Sequence, residues 1–132
     1  MMRTLLIWNA LALALIGSGV AFADSAGTVA PNSFPHKAGQ DLYAAICQGC
    51  HMPDGKGAVG AGSYPALADN SKLLSAGYPI YLVLYGQKGM PGFGGFLDDA
   101  QVAAVVEYVR THFGNNYTDK ISADDVKLLR QP

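Results

Sequence analysis

Five consecutive residues, Cys47-Gln48-Gly49-Cys50-His51, constrain this chain more than any other part of it. They hold both of its cysteines, about one helical turn apart, with an imidazole directly after the second. Two thiols at that spacing can add to the two vinyl groups on one edge of a porphyrin, while the next residue reaches the iron from one face. This is the C-x-x-C-H attachment signature of c-type haem. Covalent attachment holds the cofactor, so the fold need not supply a deep pocket. Other uses of the same residues compete. A redox dithiol calls for a βαβ setting, and the chain has no alternating strand pattern. A zinc site needs four suitably grouped ligands, and only His36 and His112 remain, neither in a finger spacing. The third alternative is a simple disulfide between Cys47 and Cys50. One covalently bound haem c is the expected cofactor.

The N-terminus bears on which compartment the thiols meet. Met1-Met2-Arg3 opens a positive start, Leu5 to Ile16 is an apolar run, and Ala21-Phe22-Ala23 fits an A-x-A cleavage site. That is the layout of a secretory signal peptide, expected over 1–23 and removed before Asp24. An uncleaved membrane anchor is the alternative, but Leu5 to Val20 includes Asn9 and falls short of the ~20 residues a bilayer requires. The expected product is periplasmic, with no transmembrane segment after cleavage. The sequence of 132 residues bounds it to one small domain. Half of it is apolar and 14% is charged, which makes disorder unfavourable. The net charge of −1 argues against a nucleic-acid binder, which needs a dense basic face.

Residues 24–35 are small, polar and broken by proline, and read as a flexible leader. Ala38, Leu42, Ala45 and Ile46 then fall at helical spacing, with Gly39 and Tyr43 sharing one face. The glycine-rich stretch 53–63 reads as a loop that wraps something. Asp69, Asn70 and Ser71 are candidate caps for a short helix through Ser75, and Pro79 is placed to open another at its first position, ending at Gly86. The stretch 86–96 is again glycine-rich. Asp98 and Gln101 form a capping-box pattern ahead of the apolar face Val102, Val105, Val106 and Val109, with Gly114 ending the run. Ser122 and Asp125 can start a last short helix through Leu129. The expected class is all-α.

The sixth iron position needs a second ligand. Outside the signal segment only Met52 and Met90 carry thioethers. Met52 directly follows His51 and cannot wrap round to the opposite face. Met90 lies between Gly89 and Pro91, in a loop whose backbone can approach a flat ligand closely. His51 and Met90 are therefore the expected axial ligands, a pair that raises the reduction potential. A core gap-filling role is the alternative for Met90.

Helix, C-x-x-C-H, glycine-rich loop, Pro65-Ala66-Leu67, short helices, Gly89-Met90-Pro91 and a final helix rich in valine and tyrosine follow one another over residues 36–114. This order resembles class I c-type cytochromes. The resemblance implies three to five short helices wrapped around one covalently attached haem, with the first and last crossing where Gly39 and Tyr43 meet Tyr108. It further implies that the Pro65 carbonyl accepts a hydrogen bond from His51 and that Leu67 packs on the haem on the histidine side. Residues 115–132 go beyond a minimal domain. With Phe113, Gly114, Asn115, Val126 and Arg130, this C-terminal extension loosely resembles modules that accompany periplasmic dehydrogenases.

Several residues carry weaker signals. Tyr64, Tyr81 and Tyr85 can line the haem or simply pack. His112 and His36 are remote candidates for a second iron ligand. Lys56, Lys72 and Lys88 can ring a docking edge or be scattered solvated charges. The expected function is one-electron transfer rather than catalysis. Its expected partners are a periplasmic flavin-, quinone- or molybdenum-containing dehydrogenase or hydroxylase as donor, and a downstream oxidase or cytochrome as acceptor. The alternative is a haem enzyme or small-gas binder with an open or labile sixth position.

Overall fold

The computed structural model describes residues 34–60 and 62–131. The expected signal peptide and most of the leader lie outside the described residues. Helix α1, Gly39–Leu42, runs into a π-helical turn over Tyr43–Cys47 and resumes as α2, Gln48–His51. The amide of Gln48 donates to the Tyr43 carbonyl, the i→i+5 bond that inserts one extra residue just before the cysteines. A 3₁₀ turn comes next at Ser71–Leu74, then α3 at Gly77–Tyr85, α4 at Asp99–Thr111 and α5 at Ala123–Leu129. Two antiparallel ladders of two residues per strand close the glycine-rich loops. One joins β1, Ala58–Val59, to β2, Ser63–Tyr64; the other joins β3, Gly86–Gln87, to β4, Met90–Pro91.

The start and stop signals mostly act where expected. Asp98 and Gln101 form a reciprocal capping box, as do Ser122 and Asp125. Asn70 is the residue that caps the 3₁₀ turn, accepting from the Lys72 amide. Gly86 ends α3 at φ 75°. Three boundaries differ from the sequence reading. α3 begins at Gly77, so Pro79 stands third rather than first, still within the turn whose amides need no helical acceptor. The turn ahead of Ser75 winds as 3₁₀, not α. α4 stops at Thr111, and Phe113 and Gly114 both turn left-handed, at φ 59° and 82°.

The core lies where α1 crosses α4 and where α5 folds back on α4. A Cβ at Gly39 would collide with the Ala104 carbonyl and lie 2.7 Å from Tyr108 Cβ, so the helices meet at backbone contact. The Tyr43 ring sits 5.7 Å from Tyr108 and 4.8 Å from Phe113. Leu42, Val102, Val106 and Val126 are fully or almost fully buried, so the extension shares the core of the domain that precedes it.

Candidate metal centre

The helix Gly39–His51 delivers Cys47, Cys50 and His51 together, and the loop after it fixes the imidazole. Met52 is left-handed at φ 66°, which turns the chain sharply after His51. The Tyr43 hydroxyl donates to the Met52 carbonyl at 2.6 Å and locks that turn. Burial pushes the Tyr43 phenol up to about 12, with Cys47, Tyr108 and Asp54 adding to it, so it remains a donor at neutral pH. The Gly57 amide donates to the His51 carbonyl at 3.0 Å, and the Leu67 and Ala68 amides both donate to Gly55 O. These bonds fold the 52–68 loop back across the histidine.

The result is that Pro65 O stands 2.9 Å from His51 Nδ1. A carbonyl can only accept, so Nδ1 carries the proton and Nε2 keeps its lone pair free for a metal. The ring is 7% exposed, and the bond fixes both its tautomer and its plane. Gly57 makes room for this carbonyl. Its φ is +66°, and a Cβ there would collide with Tyr64 O and lie 2.8 Å from the Pro65 carbonyl carbon.

Cys47 is half-buried, Cys50 exposed, and both are free thiols, so the disulfide alternative is not formed. Burial first, and then Cys50, push the Cys47 thiol up to about 12. No three His, Cys, Asp or Glu side chains gather among the described residues, which removes the zinc-type alternative there.

The second glycine-rich loop carries Met90. Gln87 pairs with Met90 and Gly86 with Pro91, while Lys88 turns left-handed at φ 54°. Met90 is half-buried. Between this loop and the cysteine helix lies a cavity of about 310 Å³, lined by Phe34, Ile46, Pro91, Gly92, Phe93 and Phe96. Its walls are almost wholly apolar. Ile46 adjoins Cys47, and the 91–96 wall continues directly from Met90. Two free thiols, a fixed imidazole with its far nitrogen available and, on the other glycine-rich loop, a thioether are a donor set that fits a flat, vinyl-bearing macrocycle with a metal at its centre, and the apolar cavity borders the chain next to Cys47 and Met90.

Leu67 is half-buried against the core, and its carbonyl accepts from the Asn115 side chain at 2.8 Å. Tyr64 is exposed. The Tyr85 ring lies tilted against Tyr81, with centroids 5.0 Å apart, and its hydroxyl is used by the extension, on Leu129 O at 2.9 Å. His112 stacks on Tyr108 at 4.1 Å and bonds its carbonyl, and His36 lies beside Phe34. Lys56 pairs with Asp54 at 3.6 Å, and Lys72 and Lys88 are exposed.

Sequence reasoning missed Arg110. It is fully buried in α4, with Nε on Leu73 O at 2.8 Å and Nη2 on Leu74 O at 3.0 Å and on Asp119 at 2.7 Å. Its place four residues after Val106 on the apolar face was the available signal. Asn115 is also more central than its weak signal implied: it accepts from the Asn70 amide and donates to Leu67 O and Val109 O.

The family model described as cytochrome c oxidase, cbb3-type, subunit III, matches residues 35–109. The chain is 38% identical to the fructose dehydrogenase cytochrome subunit of Gluconobacter japonicus, over 70% of this chain and 22% of that protein. It is 37% identical to a cytochrome c6 of a Picosynechococcus species, over 60% of this chain and 74% of the relative. Cytochrome c-552 of Thermus thermophilus is 31% identical, over 70% and 83% of the two chains. The match thus spans about a fifth of the dehydrogenase subunits but most of the small cytochromes.

Proposed function

The chain belongs to the cytochrome c family, binds haem c covalently and transfers electrons, and from that premise we propose how its residues divide the work. Cys47 and Cys50 form the two thioether links. His51 Nε2 and the Met90 sulfur would hold the iron at its two remaining positions. The bound haem supplies one-electron chemistry between ferric and ferrous iron. Pro65 orients the imidazole and makes it more basic, and Leu67 packs on the same side. With both positions filled by this chain, the protein sets a potential and limits reorganisation instead of binding a substrate at the metal. The observation that carries this reading is the His51–Pro65 contact, which frees one imidazole nitrogen beside two unpaired thiols.

The test is ligand replacement. Met90→His keeps the iron low-spin and lowers the potential substantially. Met90→Ala with unchanged potential and absorption would overturn the assignment. The open-site alternative makes the opposite prediction for the natural protein: prompt, full carbon monoxide binding by the reduced form at neutral pH.

In this reading residues 1–23 are removed on export to the periplasm, 36–114 form the haem domain and 115–132 are its extension. Mass spectrometry of the exported protein should find Asp24 at the N-terminus and a macrocycle-sized adduct. No helix among the described residues is long and apolar enough to cross a membrane. The donor is a dehydrogenase carrying flavin, quinone or molybdenum, and the acceptor an oxidase or second cytochrome. Relatives named as cytochrome subunits of fructose, alcohol and gluconate dehydrogenases support a sugar- or alcohol-oxidising donor. Recovery of such an enzyme with the tagged protein from the exported fraction tests this; a lone monomer there counts against a stable subunit.

A further inference from the structure

The last described residues grip both feet of the loop that carries Met90. At the leading foot, the Tyr85 hydroxyl donates to Leu129 O at 2.9 Å and accepts from the Gln131 amide at 2.5 Å. Tyr85 is the final residue of α3, directly before the β3–β4 hairpin. At the trailing foot, Arg130 spreads its guanidinium over three acceptors: Nη1 on Gly94 O at 2.5 Å, Nη2 on Leu97 O at 3.0 Å and Nε on Asp99 at 2.6 Å. The pair with Asp99 is about three-quarters shielded from water, so it is screened less than a surface ion pair. The clasp is seated by Val126, which is completely buried under the same short helix.

The hairpin has little holding of its own. Its ladder is two residues per strand, two of its residues have positive φ, and the loop beyond is tied to α3 by the bonds Phe93 N to Val83 O and Gly94 N to Leu84 O. Segments of this kind open locally at low cost unless something else restrains them. Arg130 bonds the carbonyl of Gly94, whose own amide makes the second of those ties.

The geometry points to Arg130 as a positioning residue for the sixth ligand: the C-terminal extension is a clasp that keeps the Met90 loop closed and the sulfur on the iron. The inference rests on Met90 being that ligand. It gives residues 115–131 a task inside the domain, independent of any partner. Arg130 touches neither iron nor haem in this scheme and acts only through the loop.

The test uses the holoprotein and three variants. Arg130→Ala removes the grip, Arg130→Lys retains the charge with a smaller donor set, and Lys120→Ala removes an exposed ion pair with Glu107 at the other end of the extension without touching the loop. Three signals are read: the weak far-red absorption from sulfur to ferric iron, carbon monoxide binding to the reduced protein, and hydrogen exchange at Phe93 and Gly94. Arg130→Ala should lose far-red intensity, bind carbon monoxide about tenfold more readily, the factor one charge-assisted hydrogen bond carries, and exchange both amides faster. Arg130→Lys should fall between, and Lys120→Ala should match the natural protein. A natural protein with the sulfur signal, alongside an Arg130→Ala form indistinguishable from it, overturns the clasp alone. Equal losses in Lys120→Ala reduce it to general destabilisation and also overturn it. Absence of the sulfur signal from the natural protein overturns the Met90 assignment and the clasp together. If Arg130→Ala does not accumulate, the Arg130→Lys and Lys120→Ala comparison decides by the same three signals.

Discussion

The carbonyl of Pro65 and Nδ1 of His51, fourteen positions apart in the chain, lie 2.9 Å from each other, and Gly57 decides whether they can. A methyl group at Gly57 would strike the Tyr64 carbonyl and crowd that of Pro65, at a backbone φ that alanine adopts only with strain. Gly57→Ala should therefore push the carbonyl away from the imidazole. A less basic histidine stabilises ferric iron less, so the potential should rise. Loss of about 1 kcal/mol of hydrogen bonding corresponds to roughly 40 mV for one electron. Redox titration checks the sign: an unchanged or lowered potential would mean that the contact does not tune the iron.

Gly39→Ala tests the helix crossing. The added methyl collides with the Ala104 carbonyl, a backbone oxygen that cannot rotate away, and crowds Tyr108 Cβ. Alanine gains about 1 kcal/mol in helix propensity, while overpacking costs about 1–3 kcal/mol and more when backbone must move. The net effect should be a lower urea midpoint and less accumulated holoprotein. A variant at least as stable as the natural protein would show that the crossing has slack.

What could be read from the sequence were the features whose chemistry is local. The thiol spacing, the Asp98–Gln101 and Ser122–Asp125 caps and the glycine stop at Gly86 each involve residues within a turn of one another. The structure keeps all of them. The π-helical turn before the cysteines left no mark in the apolar pattern, because one extra residue still buries Leu42 and Tyr43. Phe93 and Phe96 were invisible as cavity walls because glycine-rich loops have no periodicity to read. The Pro65 contact was foreseen only through family resemblance. Arg110 went unremarked and Arg130 was noted only for the loose resemblance of the extension, because their acceptors, Leu73 and Gly94, lie 37 and 36 positions away. Long-range satisfaction of a buried cation is a property of the fold, not of a window along the chain.

Arg110→Met should be strongly destabilising. The natural guanidinium is fully buried and satisfies the Leu73 and Leu74 carbonyls and the Asp119 carboxylate together. Asp119 is 65% exposed and can be rehydrated, but each carbonyl left buried without its donor typically costs about 1–3 kcal/mol. The urea midpoint should fall with little change in slope, and Tyr117, whose ring lies 5.7 Å from the guanidinium carbon, should become more exposed to solvent. A loss within the range of an ordinary surface substitution would show that water or a shifted Asp119 replaces these bonds.

Acid should weaken the fold from the extension and the α4 cap. The Arg110 guanidinium, by hydrogen bond and charge, holds the Asp119 carboxyl below its ordinary 3.8 against a smaller opposing effect of burial. The Ser122 hydroxyl and amide do the same for Asp125. At Asp98 burial pushes upward, but the Gln101 amide, Lys37 and the Ala100 amide together outweigh it and leave the group lowered. In all three cases the folded pKa lies beneath the unfolded one, so the unfolded chain takes up protons first as pH falls. Their stabilisation is complete above the unfolded value and disappears as pH drops through about 3.8 towards the folded values. Between pH 7 and about 5 these groups should add no slope to stability. Urea midpoints of the natural holoprotein and of Asp119→Asn isolate one of them, since every other titration is common to both. The gap between the two should be constant at neutral pH and narrow below about pH 4, because the variant has no carboxylate there to protonate. A gap that widens on acidification would reverse the sign and show that Arg110 does not hold Asp119 ionised.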